Sequence, residues 1–165
     1  MEPKFWVGLL AVLGLFLFLI RKNRKKIETL TPAQQWRTIL NRTLLQSKYA
    51  NLARYWFWIS AFETGNFTSN LFKSANNPWG MMMPNKRKTT ASGQFLSSRP
   101  WARYNSLEDA AKDIILYMDE FNYPTASPSF FSFVQTMKAK GYFEEPFDVY
   151  YSRAEANRKR IENLA

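Results

Sequence analysis

Tyr55-Trp56-Phe57-Trp58-Ile59-Ser60-Ala61-Phe62-Glu63-Thr64-Gly65 is the stretch on which the reading of this chain turns. An apolar, aromatic-rich run leads to one carboxylate, and a glycine follows almost at once, as it does where helices stop. From Thr64 to Leu107 there is then no Asp or Glu, but there are Lys73, Lys86, Arg87, Lys88, Arg99 and Arg103. A carboxyl group in apolar company resists ionisation. A glutamate with a raised pKa can therefore donate a proton near neutrality, which is what glycosidic bond cleavage asks of its acid. The competing reading is an ordinary surface glutamate near a helix end.

Composition removes other chemistries. The 165 residues include no His and no Cys. Ser-His-Asp and Cys-His nucleophile systems are excluded, and so are zinc sites built from His or Cys. No Ser-x-x-Lys sequence is present. Asp, Glu, Lys and Tyr remain as acid–base groups, and no cofactor or metal is expected. Aromatic residues make up 17% of the chain, enough for a packed core, and the length suits one folded domain after the N-terminal segment.

From Phe5 to Ile20 no polar side chain interrupts the sequence. Sixteen helical residues would span roughly 24 Å, slightly less than a ~30 Å hydrocarbon core. Lys4 and Arg21 flank the run, Trp6 suits an interface, and no small-x-small cleavage site precedes the charged segment. The sequence therefore predicts a transmembrane anchor with a basic juxtamembrane segment in residues 1–27, making the lipid bilayer a partner. Arg21, Lys22, Arg24, Lys25 and Lys26 follow the run, against Lys4 before it. By the positive-inside rule this step predicts a single-pass membrane protein whose remaining domain lies on the cytoplasmic side. An enzyme stored inside would suit a virion interior or virion membrane, with virion proteins as candidate partners.

Residues 28–165 carry 17 Lys and Arg against 12 Asp and Glu, a net charge of about +5, which favours approach to an anionic polymer. Thr31-Pro32 with Gln34 predicts a helix start, followed by an apolar face of Trp36, Ile39, Leu40 and Leu44. A second helix is expected from near Leu52 to Glu63. Ser106 to Asp109 is a further capping box, with a stripe of Leu107, Ala110, Ala111, Ile114, Met118 and Phe121. Phe130, Phe133, Val134 and Met137 predict a short helix, and Pro146 opens the last one. Residues 81–103 have Pro84, Gly93 and Pro100 and no helical period. They read as a small β or loop lobe, with a cleft between it and the helices.

Four segments resemble one family. Ala61-Phe62-Glu63-Thr64-Gly65-Asn66-Phe67-Thr68-Ser69 with Ala75-Asn76-Asn77-Pro78-Trp79-Gly80-Met81 is similar to the Glu-Ser/Thr-Gly and Asn-Asn-x-aromatic-Gly motifs of the glucosaminidase domains of glycoside hydrolase family 73. Trp101-Ala102-Arg103-Tyr104-Asn105-Ser106 resembles that family's Phe-Arg-x-Tyr-x-Ser segment. Gly141-Tyr142 with Pro146 and Tyr150 resembles its Gly-Tyr-Ala-Thr-x-Pro-x-Tyr segment. The resemblance covers residues 53–156. It implies a mainly α, lysozyme-like α+β domain, here preceded by the single transmembrane helix, and cleavage of bacterial peptidoglycan glycan strands. By the same resemblance Glu63 is the general acid, and Tyr104 is a catalytic-site residue beside the scissile sugar. Asn77, Trp79, Gly80, Met81 and Tyr142 then bind substrate.

The chain departs from the family in one respect: the lobe lacks the second carboxylate that members often carry. Either a distant acid such as Glu145 or Asp148 activates water, or the substrate's own N-acetyl group or muramoyl 6-hydroxyl acts as nucleophile. The bond cleaved, and hydrolysis against lytic transglycosylation, stay open. The alternative from another class is a non-enzymatic, membrane-anchored binding module for glycan, lipid or nucleic acid. For the favoured reading no nucleic acid partner is expected.

Overall fold

The computed structural model describes residues 30–96 and 99–162. The chain forms two units, Met1–Gln35 and Trp36–Ala165. In the first, the described residues open a helix. Thr31 Oγ1 accepts from the Gln34 N–H (3.3 Å), and Gln34 Oε1 accepts from the Thr31 N–H (3.0 Å). Two end groups that lack intrahelical partners are thereby satisfied reciprocally. That helix, α1, runs Pro32–Leu45.

The second unit is mainly helical with one two-stranded sheet. A 3-10 turn at Ala50–Leu52 leads into α2, Ala53–Glu63. A six-residue helix follows, α3, Asn70–Ala75, then β1 (Gly93–Leu96), β2 (Pro100–Arg103), α4 (Leu107–Glu120), α5 (Phe130–Ala139) and α6 (Phe147–Glu162). The core gathers on α2, which is apolar on nearly every side: Tyr55, Trp56, Phe57, Ile59 and Ala61 are all buried. Trp56 sits edge-on to Trp79 and to Phe133, with centroids 5.9 and 5.2 Å away. Such pairs contribute about 0.5–1.5 kcal/mol each beyond the area they bury. The polar group on this helix is satisfied where it is buried: Ser60 Oγ accepts from Trp36 Nε1 (2.7 Å) and donates to the Phe57 carbonyl (2.8 Å).

Residues 81–103 form the lobe. β1 and β2 pair antiparallel, with Phe95 opposite Trp101. The other edge of β2 is covered by residues 81–83. There the Ala102 N–H donates to the Met81 carbonyl (2.8 Å) and the Met83 N–H to the Pro100 carbonyl (2.7 Å). A buried ion pair fastens the lobe to α4. Asp113 is fully buried, and both its oxygens accept from the Arg87 guanidinium, at 3.1 and 2.6 Å. Its Oδ1 also accepts from the Thr90 N–H (3.0 Å) and its Oδ2 from the Tyr104 hydroxyl (2.8 Å).

The membrane part of the expected fold class, and the single-pass localisation drawn from it, require correction. Among the described residues no helix is long and apolar enough to cross a membrane. The helices that form are amphipathic or built for a protein core, and their polar faces would have no partners in lipid. The run from Phe5 to Ile20 and the basic segment after it lie outside the described residues. Neither a transmembrane anchor nor a cytoplasmic or virion-interior placement is carried further.

Candidate functional site

Glu63 is the last residue of α2, and the chain makes its turn immediately beyond it. Thr64 Oγ1 donates back to the Ser60 carbonyl (2.6 Å) and accepts from the Phe67 N–H (2.9 Å). Gly65, Asn66 and Phe67 then take positive φ values of 56°, 61° and 66°. Glycine meets this demand without a Cβ penalty; an aromatic residue there is uncommon. Phe67 is held in it by burial against Phe57 and Phe72. The turn thus leaves Glu63 at the negative end of the helix dipole, a place that disfavours a carboxylate.

The Tyr150 hydroxyl of α6 donates to Glu63 Oε1 at 2.6 Å. Tyr150 is itself fixed: Phe143 stacks on it at 3.7 Å with planes 5° apart, and Phe62 meets it edge-on at 5.2 Å. Desolvation raises the Glu63 pKa above its ordinary value. The Tyr150 hydrogen bond and the Arg153 charge oppose that rise, and Glu145 adds to it. Glu63 is exposed along the open side of the site, so water tempers the desolvation while protein crowds the carboxyl from the helix side. The upward direction stands because the helix end and Glu145 act in the same sense.

A cleft of about 400 Å³ opens at this carboxyl. One wall is the lobe, with Gly80, Met81, Met82, Arg87, Arg99 and Trp101; the other is formed by residues 141–145 and Tyr150. The second wall is tied down by Lys138, whose Nζ donates to the carbonyls of Phe143 (3.4 Å), Glu144 (2.9 Å) and Glu145 (3.0 Å). Gly80 has φ +61°, and a Cβ there would stand 3.9 Å from Trp101 Cζ3 and 4.0 Å from Glu63 Oε2. Its absent side chain keeps the space before Oε2 open. Gly80→Ala is expected to lower stability by roughly 1–2 kcal/mol through the left-handed backbone. Gly80→Val should in addition crowd the Glu63 carboxyl, because its larger side chain grows from a point 4.0 Å from Oε2. Thermal melts, and any activity assigned to the cleft, measured on the two variants separate these effects.

The expected site residues fall into two groups. Glu63, Trp79, Gly80, Met81 and Tyr142 line the cleft. Trp79 is nonetheless buried and donates its indole N–H to the Trp56 carbonyl (3.2 Å), so it supports the wall more than it offers a surface. The Tyr142 hydroxyl donates to the Trp79 carbonyl (3.1 Å), and burial pushes its pKa well up. Asn77 and Tyr104 are not among the cleft-lining residues. Asn77 is fully buried; its Nδ2 donates to the carbonyls of Met81 and Ala102, each at 2.8 Å, and its Oδ1 accepts from the Met81 N–H (3.1 Å). Tyr104 is buried on Asp113. Both hold the lobe in shape; Tyr104, expected to line the cleft near the scissile sugar, donates to Asp113 instead, and the tyrosine bonded to Glu63 is Tyr150. Of the two distant acids, Glu145 lines the cleft and Asp148 does not. The Glu145 carboxylate accepts from Arg153 at 2.7 Å. Arg87, Arg99, Trp101 and Phe143 were not singled out as site residues by sequence. The run of cations without acids was the available signal for the two arginines.

No family model matches the chain, and no curated protein matches it. Among solved structures it is similar to a chain of a type VI secretion system effector–immunity complex from Pseudomonas protegens. The match has a TM-score of 0.60 and 17% identity, over 79% of this chain and 92% of that one. The likeness is one of fold.

Proposed function

We propose that this chain cleaves the β-1,4 glycosidic bonds of peptidoglycan glycan strands, with Glu63 as the general acid. The observation that carries the reading is the Glu63 carboxyl: it ends a helix, faces an open cleft and has one oxygen fixed by Tyr150, and desolvation raises its pKa. The four segments that resemble glycoside hydrolase family 73 supply the substrate class.

In this mechanism Oε1 stays on Tyr150, and Oε2, facing Gly80, holds the proton. It passes to the glycosidic oxygen as the bond to the anomeric carbon breaks, leaving Glu63 as a carboxylate that the Tyr150 hydroxyl stabilises. Water then adds at the anomeric carbon, giving its proton to the group that activates it, and Glu63 takes a proton back from solvent. Glu144 and Glu145 are the further cleft carboxylates, and Glu145, held by Arg153, is the candidate to activate that water. The alternative is attack by the substrate's N-acetyl group or 6-hydroxyl, which needs one protein carboxylate only. Glu145→Gln, alone and with Glu144→Gln, separates the two routes: turnover stops if a second cleft carboxylate activates water and continues in both if the substrate supplies the nucleophile.

Purified sacculi incubated with the full-length chain should release new reducing ends, or anhydro ends if a 6-hydroxyl closes the ring. Neither product, from folded protein, would return the chain to the class of glycan-binding modules without chemistry. The pH profile tests the acid itself. A general acid must be protonated, so activity falls as pH rises through the Glu63 pKa. That limb is expected above the pH where an ordinary glutamate titrates. Tyr150 favours the carboxylate, so Tyr150→Phe should move the limb to still higher pH while lowering kcat. A limb that shifts downward in Tyr150→Phe would contradict the assigned hydrogen bond.

A further inference from the structure

A second cavity, of about 430 Å³, is lined by Phe62 and Gly65 at the end of α2 and by Arg153, Ala156, Asn157 and Arg160 of α6. It shares no lining residue with the cleft. The four α6 residues recur at helical spacing, so they form one face of that helix. Two of them are arginines, and no acid lines the cavity. Asn157 is only 6% exposed. A guanidinium donates and cannot accept, so the contact from Arg160 Nη2 identifies its acceptor as Asn157 Oδ1. That leaves Asn157 Nδ2 buried without an acceptor. The nearby carbonyls of Ser60, Ala61 and Phe62 are engaged by the N–H groups of Thr64, Asn66 and Gly65. A buried donor without a partner is costly, and an oxygen placed in the cavity removes that cost.

The two guanidinia flank this amide. Arg160 bends back along α6 to Asn157. Arg153 lies over the Phe62 ring at 5.4 Å and donates through Nη1 to Glu145 at 2.7 Å. Both arginines are exposed, and a guanidinium carries five N–H donors, so each keeps donors beyond these contacts. A phosphate group, with a charge of about −1.5 to −2 and several acceptor oxygens, can meet two guanidinia and an amide N–H at once. A carboxylate brings less charge and fewer oxygens. We propose that Arg153, Asn157 and Arg160 form a phosphate-binding site, separate from the cleft, for inorganic phosphate or the phosphate group of a small ester. Arg153 joins this site to the cleft, because the guanidinium that would hold the phosphate also holds Glu145. The two anions repel one another across it.

The test is calorimetric titration of the full-length chain, at constant ionic strength, with inorganic phosphate, phenyl phosphate and acetate. Phosphate is expected to bind more tightly than acetate. Arg153→Gln and Arg160→Gln should each weaken phosphate about tenfold. Asn157→Asp keeps an acceptor for Arg160 and adds a like charge, so it should remove binding. Glu145→Gln should tighten it by removing the competing carboxylate. Lys159→Gln is the control: it takes the same charge from the same turn of α6, but Lys159 reaches toward Glu155 (3.8 Å), and binding should not change. Melting curves verify folding, and the exposed position of Arg160 makes its variant the safe one to read. Tighter binding of phenyl phosphate than of inorganic phosphate names an ester as the ligand; the reverse order names the free ion. No phosphate binding by the wild-type chain, equal losses in Lys159→Gln and Arg160→Gln, or acetate bound as tightly as phosphate would overturn the site. Each of those results would leave cleavage by Glu63 standing.

Discussion

Glu63→Gln is expected to reduce glycan cleavage by at least ~10²–10⁴-fold, the usual contribution of a positioned general acid, without loss of fold. Glutamine keeps the size of the side chain and an oxygen that can accept from Tyr150, so the 2.6 Å contact to α6 has a substitute. What disappears is the proton on the oxygen facing Gly80. The same change should raise stability at neutral pH. Desolvation lifts the Glu63 pKa in the folded chain, and that contribution to stability is fully present below the unfolded pKa. It is lost as pH rises through the folded value, where a carboxylate must sit at a helix C-terminus. Glutamine has no such loss, so the variant should melt above the wild type near pH 8 and alongside it near pH 4, conditions chosen to bracket the shifted titration. Reducing-end release from sacculi and melts at the two pH values measure both effects. A folded Glu63→Gln protein with near-wild-type turnover would remove Glu63 from the mechanism.

Local chemistry made much of the helical frame legible. Thr31 with Gln34 and Ser106 with Asp109 write helix starts directly into sequence, because side chains must supply what the first turn lacks. The end of α2 was legible for the converse reason: Gly65 stands where a left-handed residue is needed. The helix Asn70–Ala75 was passed over because six residues carry too little periodicity, although Ser69 caps it by accepting from the Phe72 N–H. Glu63 stood out because the sequence isolates it from other acids. Its partner did not, since a hydrogen bond between residues 63 and 150 depends on how α2 packs on α6 and leaves no local trace. The same limit explains Tyr104 and Asn77. An aromatic and an amide near a motif look alike whether they face substrate or core, and the segments flanking the lobe turn both inward. The membrane reading had a different weakness, for it rested on the apolar run from Phe5 to Ile20 and its flanking charges, all of which lie outside the described residues. Asp113 left a usable sign that went unread: it interrupts the stripe of Ala110, Ala111 and Ile114, and a carboxylate on an apolar face needs a buried partner.

That partner makes Asp113 the position where the largest loss of stability is expected. Asp113→Ala should destabilise the chain by about 3–5 kcal/mol, the range for removing one member of a buried ion pair. The figure follows from what remains: Arg87, whose side chain is only 10% exposed, keeps its charge without a counterion. The Thr90 N–H and the Tyr104 hydroxyl lose their acceptor at the same time. Burial by itself pushes the Asp113 carboxyl up, but Arg87, Thr89 and Tyr104 outweigh it and hold it below the ordinary carboxylate value. A depressed folded pKa gives stability that is present above the unfolded pKa and fades as pH falls through the folded one. The gap between wild type and Asp113→Ala should accordingly be widest near neutrality and close in acid. Because these bonds join the lobe to α4, loosening them also frees the wall that carries Gly80, Met81 and Trp101. Turnover should fall even where the variant remains folded, although Asp113 does not line the cleft. Replacing both partners, Asp113→Leu with Arg87→Met, should recover part of the stability by leaving no buried charge unpaired. Denaturant melts across pH on the single and double variants decide the matter. A single variant within about 1 kcal/mol of wild type would show that the lobe does not depend on this pair, since changes of that size are ordinary for surface sites.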